Sequence, residues 1–293
     1  MITDGLIVVD KPAGMTSHDV VARIRRLAKT RRVGHGGTLD PMATGVLIIG
    51  VNRATRLLTY VIGAGKSYSA TIRLGQSTIT DDAEGEVTAT TPTDAVTDEA
   101  IHAGLARQRG ETDQVPSAVS AIKIKGERAY KRVREGEDVQ LPPRRVTISR
   151  LEVLDIRRAD GFVEVDIDVT CSSGTYIRAI ARDLGTLLEV GGHLTALRRT
   201  AVGDMTLAEA RTLEQLEASA PDVVTLPMAE AARQAFPQRE ATPDEARVLS
   251  HGGPLTPVGI EGPYAVFAPS GEVLAIVSER EGKARAEIVL APA

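Results

Sequence analysis

A chain of 293 residues, 42% hydrophobic and 25% charged, can bury one large core or two unequal ones, which excludes an intrinsically disordered chain. The single cysteine, Cys171, excludes an intramolecular disulfide, and no Cys/His cluster has structural-zinc spacing, so a reducing, cytoplasmic setting is expected. No apolar run approaches the roughly 20 residues of a membrane-spanning helix, and the N-terminus lacks the basic and apolar regions of a signal peptide.

Net charge is −4, yet the charges are segregated. Six Lys or Arg and no acid lie between Arg23 and Arg32, and nine basic residues face four acidic ones between Pro116 and Arg150. Seven acids and no Lys or Arg lie between Thr78 and Ala100. Such separation suits a protein that presents one basic face to a polyanion.

In chain order, Leu6 to Val9 reads as a buried strand entering a turn at Asp10-Lys11-Pro12. Thr16 or Ser17 then caps an amphipathic helix with Val20, Ile24, Leu27 and Ala28 on its inner face. Residues 32–41, rich in Gly and ending in Asp40-Pro41, are expected to be loop before a buried strand at Val46 to Ile49. Strict alternation from Tyr68 to Leu74 directs Tyr68, Ala70, Ile72 and Leu74 to one side of a strand.

Residues 146–156 and 162–171 form a hairpin about Ala159-Asp160-Gly161. A helix capped by Ser173 or Thr175 follows, its buried stripe running through Ile177, Ile180, Ala181, Leu184, Leu187 and Leu188. After about residue 220 the chain becomes rich in Pro and Gly, and Tyr264 to Phe267 with Val273 to Val277 suggest a small β unit. The element order predicts an α+β fold with a mixed, mostly antiparallel sheet and flanking helices.

Neither Gly34-His35-Gly36-Gly37 nor Gly191-Gly192 has the spacing of a phosphate or dinucleotide loop. Alone, Asp40 before a proline is an ordinary turn residue. The stretch Gly34-His35-Gly36-Gly37-Thr38-Leu39-Asp40-Pro41-Met42-Ala43-Thr44-Gly45, however, resembles the catalytic signature of the TruB family of pseudouridine synthases. Asp10-Lys11-Pro12 through Ser17, Arg73 to Gln76 with Asp82 and Gly85, Cys171 to Arg178, and Gly192-His193 with Ala196 to Arg199 are similar to further family motifs, in the same order. Gly36 departs from the Ala or Thr usual there, removing a side-chain contact beside His35.

The resemblance implies a pseudouridine synthase fold over residues 1–225, a basic thumb-like insertion at about 116–150, and a small β-rich, PUA-like RNA-binding domain over 235–293. It implies isomerisation of uridine 55 in the tRNA T-arm loop by a monomer, without cofactor, metal or guide RNA. Asp40 is then the residue acting at C1′, Arg178 its salt-bridge partner, and Tyr68 both the stacking platform for a flipped uracil and the group that handles the C5 proton. Tyr176 packs against the site, Leu197 forms its apolar wall, His35 supports the opened RNA loop, and Lys11 lies at the site's edge. Lys123, Lys125 and Arg128 are the candidate RNA contacts of the insertion, and His193 is structural. A binding module without catalysis, a guide-directed synthase and a nucleotide-binding enzyme are the competing readings.

Overall fold

The computed structural model describes residues 3–117, 123–124, 127–128 and 141–292, the two short pairs by their backbone alone. The first elements are β1 (Gly5–Lys11), α1 (Ser17–Leu27), β2 (Val33–Gly36) and β3 (Thr44–Val51), then a 3₁₀ turn (Asn52–Leu57) running into α2 (Leu58–Gly63). Next come β4 (Lys66–Leu74), β5 (Gln76–Thr78), β6 (Val87–Thr90), α3 (Asp98–Ala106) and β7 (Gly110–Gln114). A ribbon pairs β8 (Lys123–Ile124) with β9 (Glu127–Arg128), before β10 (Arg144–Ala159), β11 (Phe162–Cys171), α4 (Ile177–Leu187) and β12 (Gly192–Val202).

The central sheet runs β1, β3, β12, β4, β11, β10, β7 across its width, antiparallel throughout except where β12 lies parallel to β3. That parallel junction depends on a glycine. Gly45 has φ +97°, and a Cβ there would sit 2.1 Å from the carbonyl oxygen of Arg199. Only a residue without a side chain lets the two strands close, and their closure brings Arg199 behind the Asp40 loop. The core on one face packs Ile7, Val9, Val20, Ile24, Leu47, Ile49, Ile72, Val165, Ile167, Ile180 and Leu184.

Three local expectations are corrected. Residues 33–36 are a strand paired with β3, so the loop is confined to 37–43. Gly34 and Gly36 serve packing: Cβ atoms there would come 3.4 Å from Leu58 and 3.2 Å from Val61, so α2 occupies the space that the missing side chains leave. The helix after Cys171 is capped by neither Ser173 nor Thr175. Its N-cap is Tyr176, without a side-chain cap bond, while Ser173 Oγ donates to the Ile62 carbonyl and Thr175 Oγ1 to that of Ser172. Leu187 at that helix's end is 43% exposed and not part of the buried stripe.

The capping of α1 is as expected: Thr16 and Asp19 form a reciprocal capping box. The hairpin turn at Asp160-Gly161 has two positive φ angles, 54° and 80°, the pattern that two-residue turns joining right-twisted strands require.

Beyond β12 the chain continues through β13 (Met205–Thr206), α5 (Leu213–Ala218), β14 (Leu226–Pro227) and α6 (Met228–Ala235). A separate four-stranded sheet follows, from β15 (Gln238–Glu240), β16 (Tyr264–Phe267), β17 (Val273–Arg280) and β18 (Lys283–Val289), with α7 (Pro243–Ser250) beside it. It is fixed to the 3₁₀ turn and α2: Arg53 donates to the Leu290 carbonyl at 3.0 Å and Tyr60 Oη to Glu287 at 2.7 Å.

Candidate active site

The loop after β2 projects Asp40 into a cleft of about 260 Å³ bounded by β4, β12 and the start of α4. Leu39, buried just before it, anchors the loop: its N–H donates to Ser17 Oγ at 2.9 Å, and that hydroxyl donates to the Leu39 carbonyl at 3.0 Å. Two buried cations hold the rest. Lys11 Nζ donates to the carbonyls of Pro12, Met15 and Pro41 at 2.6–3.1 Å. The Arg199 guanidinium donates to Val46 and Gly37 carbonyls at 2.7 and 3.0 Å.

The Asp40 carboxylate faces Arg178, with Oδ2 3.1 Å from the guanidinium, and the other side of that guanidinium lies 3.2 Å from Asp82 Oδ2. Arg178 also donates to the Thr80 carbonyl at 2.8 Å. The two carboxylates are not equivalent: the side chain of Asp82 is 3% exposed, that of Asp40 38%. Asp82 is sealed behind the arginine and holds it, leaving Asp40 as the carboxylate open to the cleft.

Burial raises the Asp40 pKa from 3.8, and Asp82 adds to the rise, while Arg178 and Lys11 pull it down. The carboxylate therefore stays more basic than a surface aspartate.

Tyr68 enters from β4, 7% exposed, as the alternation in sequence predicts. Its cross-strand partners are Val169 and Arg199. Burial pushes the phenol pKa up, and Arg199 opposes the rise. Lys66, two residues earlier on the same strand face, donates to the Ile62 and Ala64 carbonyls at 3.0 Å. Tyr176, Leu197, Ile62 and Ser173 also line the cleft. Among the described residues no group of three or more His, Cys, Asp or Glu side chains could hold a metal ion, and no helix is long and apolar enough to cross a membrane.

The structure thus brings together Asp40, Tyr68, Tyr176, Arg178 and Leu197, separated by up to 157 positions in sequence. It does not bring Lys11 or His35 to the cleft surface. Lys11 is fully buried beneath the loop, so it holds Pro41 in place of lying at the site's edge. His35 sits on β2, edge-on to the His18 ring at 5.4 Å, with Nδ1 buried and burial holding its pKa down. Lys125 and most of the basic insertion lie outside the described residues, and Lys123 and Arg128 are described only as backbone partners in the β8–β9 ribbon. His193 is 2% exposed with Nδ1 3.0 Å from the Gln76 carbonyl oxygen.

The chain matches a described family over most of its length. Residues 25–177 match the TruB family pseudouridylate synthase N-terminal domain, residues 178–227 the tRNA pseudouridylate synthase B C-terminal domain, and residues 236–291 the C-terminal domain of tRNA pseudouridine synthase II. The chain belongs to the TruB family. It is 58% identical over 289 residues to a tRNA pseudouridine synthase B of Mycobacterium sp. (strain KMS), covering 99% of this chain and 97% of the relative. It is 55% identical over 294 residues to that of Thermobifida fusca (strain YX), covering 99% of each. Among solved structures, a chain of the archaeal box H/ACA sRNP Nop10–Cbf5 complex superposes with a TM-score of 0.73 at 26% identity, covering 99% of this chain and 87% of that one. The α+β architecture, with its β-rich C-terminal unit, is therefore the pseudouridine synthase fold.

Within this TruB-family site, sequence reasoning missed the work of Asp82, Arg199 and Lys66. Asp82 and Arg199 stood in quoted motifs, but nothing local told that one would grip Arg178 and the other the Asp40 loop.

Lys11 provides a test that does not depend on activity. Burial lowers its pKa from 10.5 to about 8, against smaller opposing effects of Glu84, Asp40 and Asp19. The folded chain then gives up this proton near pH 8 and the unfolded chain near 10.5, so between those values the unfolded state binds more protons and stability rises with pH. Urea unfolding between pH 7.5 and 10 should show a rise on the order of 3 kcal/mol from this group. Lys11→Met, although less stable overall because three carbonyls lose their donor, should lack that rise; an unchanged slope would place the titration elsewhere.

Proposed function

We propose that this protein isomerises uridine 55 in the T-arm loop of tRNA to pseudouridine, as a cytoplasmic monomer that needs no guide RNA, metal or cofactor. The observation that carries this reading is a cleft-facing carboxylate, Asp40, held by a buried arginine and facing a buried tyrosine. The reaction breaks the C1′–N1 bond, turns the uracil and rejoins it through C5. It gains no external atom and has no net redox change, so one carboxylate suffices where a glycosidase, which must also activate water, uses two.

Asp40 acts at C1′, as nucleophile or as the base that relieves an oxocarbenium-like state. Arg178 keeps it ionised against burial. The target base lies inside a folded loop, so it flips out at a cost of a few kcal/mol, and stacking on Tyr68 returns about 1–3 kcal/mol of that. Tyr176 and Leu197 bound the base from the other sides. Residues 1–225 form the catalytic domain, the basic insertion at about 116–150 lies over the RNA with Lys123, Lys125 and Arg128 on its phosphates, and residues 235–293 form a second RNA-binding unit.

The names of the bacterial relatives, at 55–58% identity over nearly full length, favour free tRNA over a guide-directed substrate. The test is to map pseudouridine in unmodified tRNA after incubation with the purified protein in EDTA. Pseudouridine at position 55 is expected. Modification only elsewhere, or only after addition of a second RNA, overturns the substrate assignment.

A further inference from the structure

Gln114 is the last residue of β7 and 4% exposed. It does not line the cleft, yet its side-chain amide spans the backbone of a residue that does. Gln114 Oε1 accepts the Tyr176 N–H at 2.8 Å, and Gln114 Nε2 donates to the Tyr176 carbonyl at 3.1 Å. That carbonyl also accepts the Ala179 N–H at 3.1 Å, the first turn of α4.

Tyr176 is where support is most needed. It is the N-cap of the helix that carries Arg178 two residues later, and it has no capping side chain of its own. The turn before it passes through Gly174 at φ +88°. An uncapped helix start leaves backbone donors without partners, and a turn built on glycine has little intrinsic stiffness. A glutamine 62 positions away meets both faults with one donor and one acceptor.

We propose that Gln114 is a positioning residue for the isomerisation: by clamping both backbone groups of Tyr176 it fixes the start of α4, and so the approach of Tyr176 and Arg178 to the base and to Asp40. This rests on the activity proposed above. Its side chain acts through Tyr176 and touches no reacting atom. A second tie supports the geometry, because Arg182, one turn along α4, donates to the Val115 carbonyl at 2.7 Å and lies 3.3 Å from Asp81, next to the aspartate that grips Arg178. The end of β7 is thus joined to α4 at two successive turns, one on each side of Arg178.

The test compares Gln114→Met, which keeps the volume and removes both hydrogen bonds, with Gln114→Glu, which retains the acceptor and sets a carboxylate against the Tyr176 carbonyl. For Gln114→Met, the single-turnover rate at saturating protein should fall by about 10–100-fold, the order expected for a displacement near 1 Å. Affinity for tRNA should stay within about threefold, because phosphate contacts supply most of it. Amide exchange at residues 176–179 should quicken while that of the central sheet does not. Gln114→Glu should be slow at pH 8 and recover relative to wild type at pH 6, since a buried carboxyl has a raised pKa and regains a donor when protonated.

A wild-type rate for Gln114→Met, or affinity falling in step with rate, overturns the proposal. If Gln114→Met does not fold, the Glu variant decides, and a rate ratio to wild type that is flat with pH overturns it. Should wild type leave no pseudouridine, the activity reading fails by itself, and the exchange measurement still tests the clamp.

Discussion

Asp40→Asn should abolish isomerisation, lowering the single-turnover rate on the order of 10⁴-fold or more, as loss of a residue that acts on the reacting atom does. The substitution keeps shape and removes charge, so neither attack on C1′ nor proton abstraction survives it. Binding of tRNA should change by no more than several-fold, because the carboxylate contributes little to an affinity built on phosphate contacts. The fold should tolerate the change as well. Arg178 keeps Asp82 at 3.2 Å and the Thr80 carbonyl at 2.8 Å, so no buried cation is stranded.

Stability near neutral pH should hold or rise. A carboxyl whose folded pKa is raised binds its proton more tightly in the folded state, so its ionisation counts against the fold as pH climbs through that value. In wild type the same shift sets the acid limb of the rate, which should fall below an apparent pKa above 3.8. Equal loss of affinity and rate in Asp40→Asn would place Asp40 in binding instead of chemistry.

How far these residues were legible from sequence depended on whether their signal was local. Tyr68 was, because a period of two over β4 fixes which side chains face inward. The capping box of α1 and the Asp160-Gly161 turn were local as well. Residues 32–41 misled for a physical reason: glycine marks both turns and close packing, and at Gly34 and Gly36 the second applies, since α2 lies against a strand there. The cap of α4 misled similarly, Ser173 and Thr175 being spent on carbonyls while the cap residue, Tyr176, is held through its backbone by a distant glutamine.

Non-local partners left no local trace. Asp82 read as one acid in an acidic run, yet it is the buried support of Arg178. Lys11 read as a residue at the site's edge, yet it is sealed under the Asp40 loop. In both cases a charged side chain is spent on holding the site, and only the packing of β1, the Asp40 loop and α4 around one cleft makes that visible.

Tyr68 combines two proposed tasks in one side chain, and two substitutions separate them. Its ring is the platform for the flipped uracil, and its phenol takes part in removing the C5 proton once the new bond has formed. Tyr68→Phe keeps the ring on β4 with its buried neighbours, so tRNA affinity and flipping should survive within about 1 kcal/mol by the stacking estimate. Arg199, the cross-strand neighbour of Tyr68, is bound to the Val46 and Gly37 carbonyls, so the Asp40 loop should keep its shape without the hydroxyl. Turnover should still collapse, because positioned acid–base assistance contributes about 10²–10⁴-fold. The block then falls after glycosidic cleavage and rejoining, where an adduct carrying its C5 proton should accumulate. Tyr68→Ala should lose the platform too, with weaker flipping added to the slow step. Single-turnover rates beside tRNA affinities at fixed salt, with base flipping followed by a fluorescent reporter at the target position, separate the two losses. A near-wild-type rate for Tyr68→Phe would leave the ring as platform alone and pass the C5 proton to another group in the cleft.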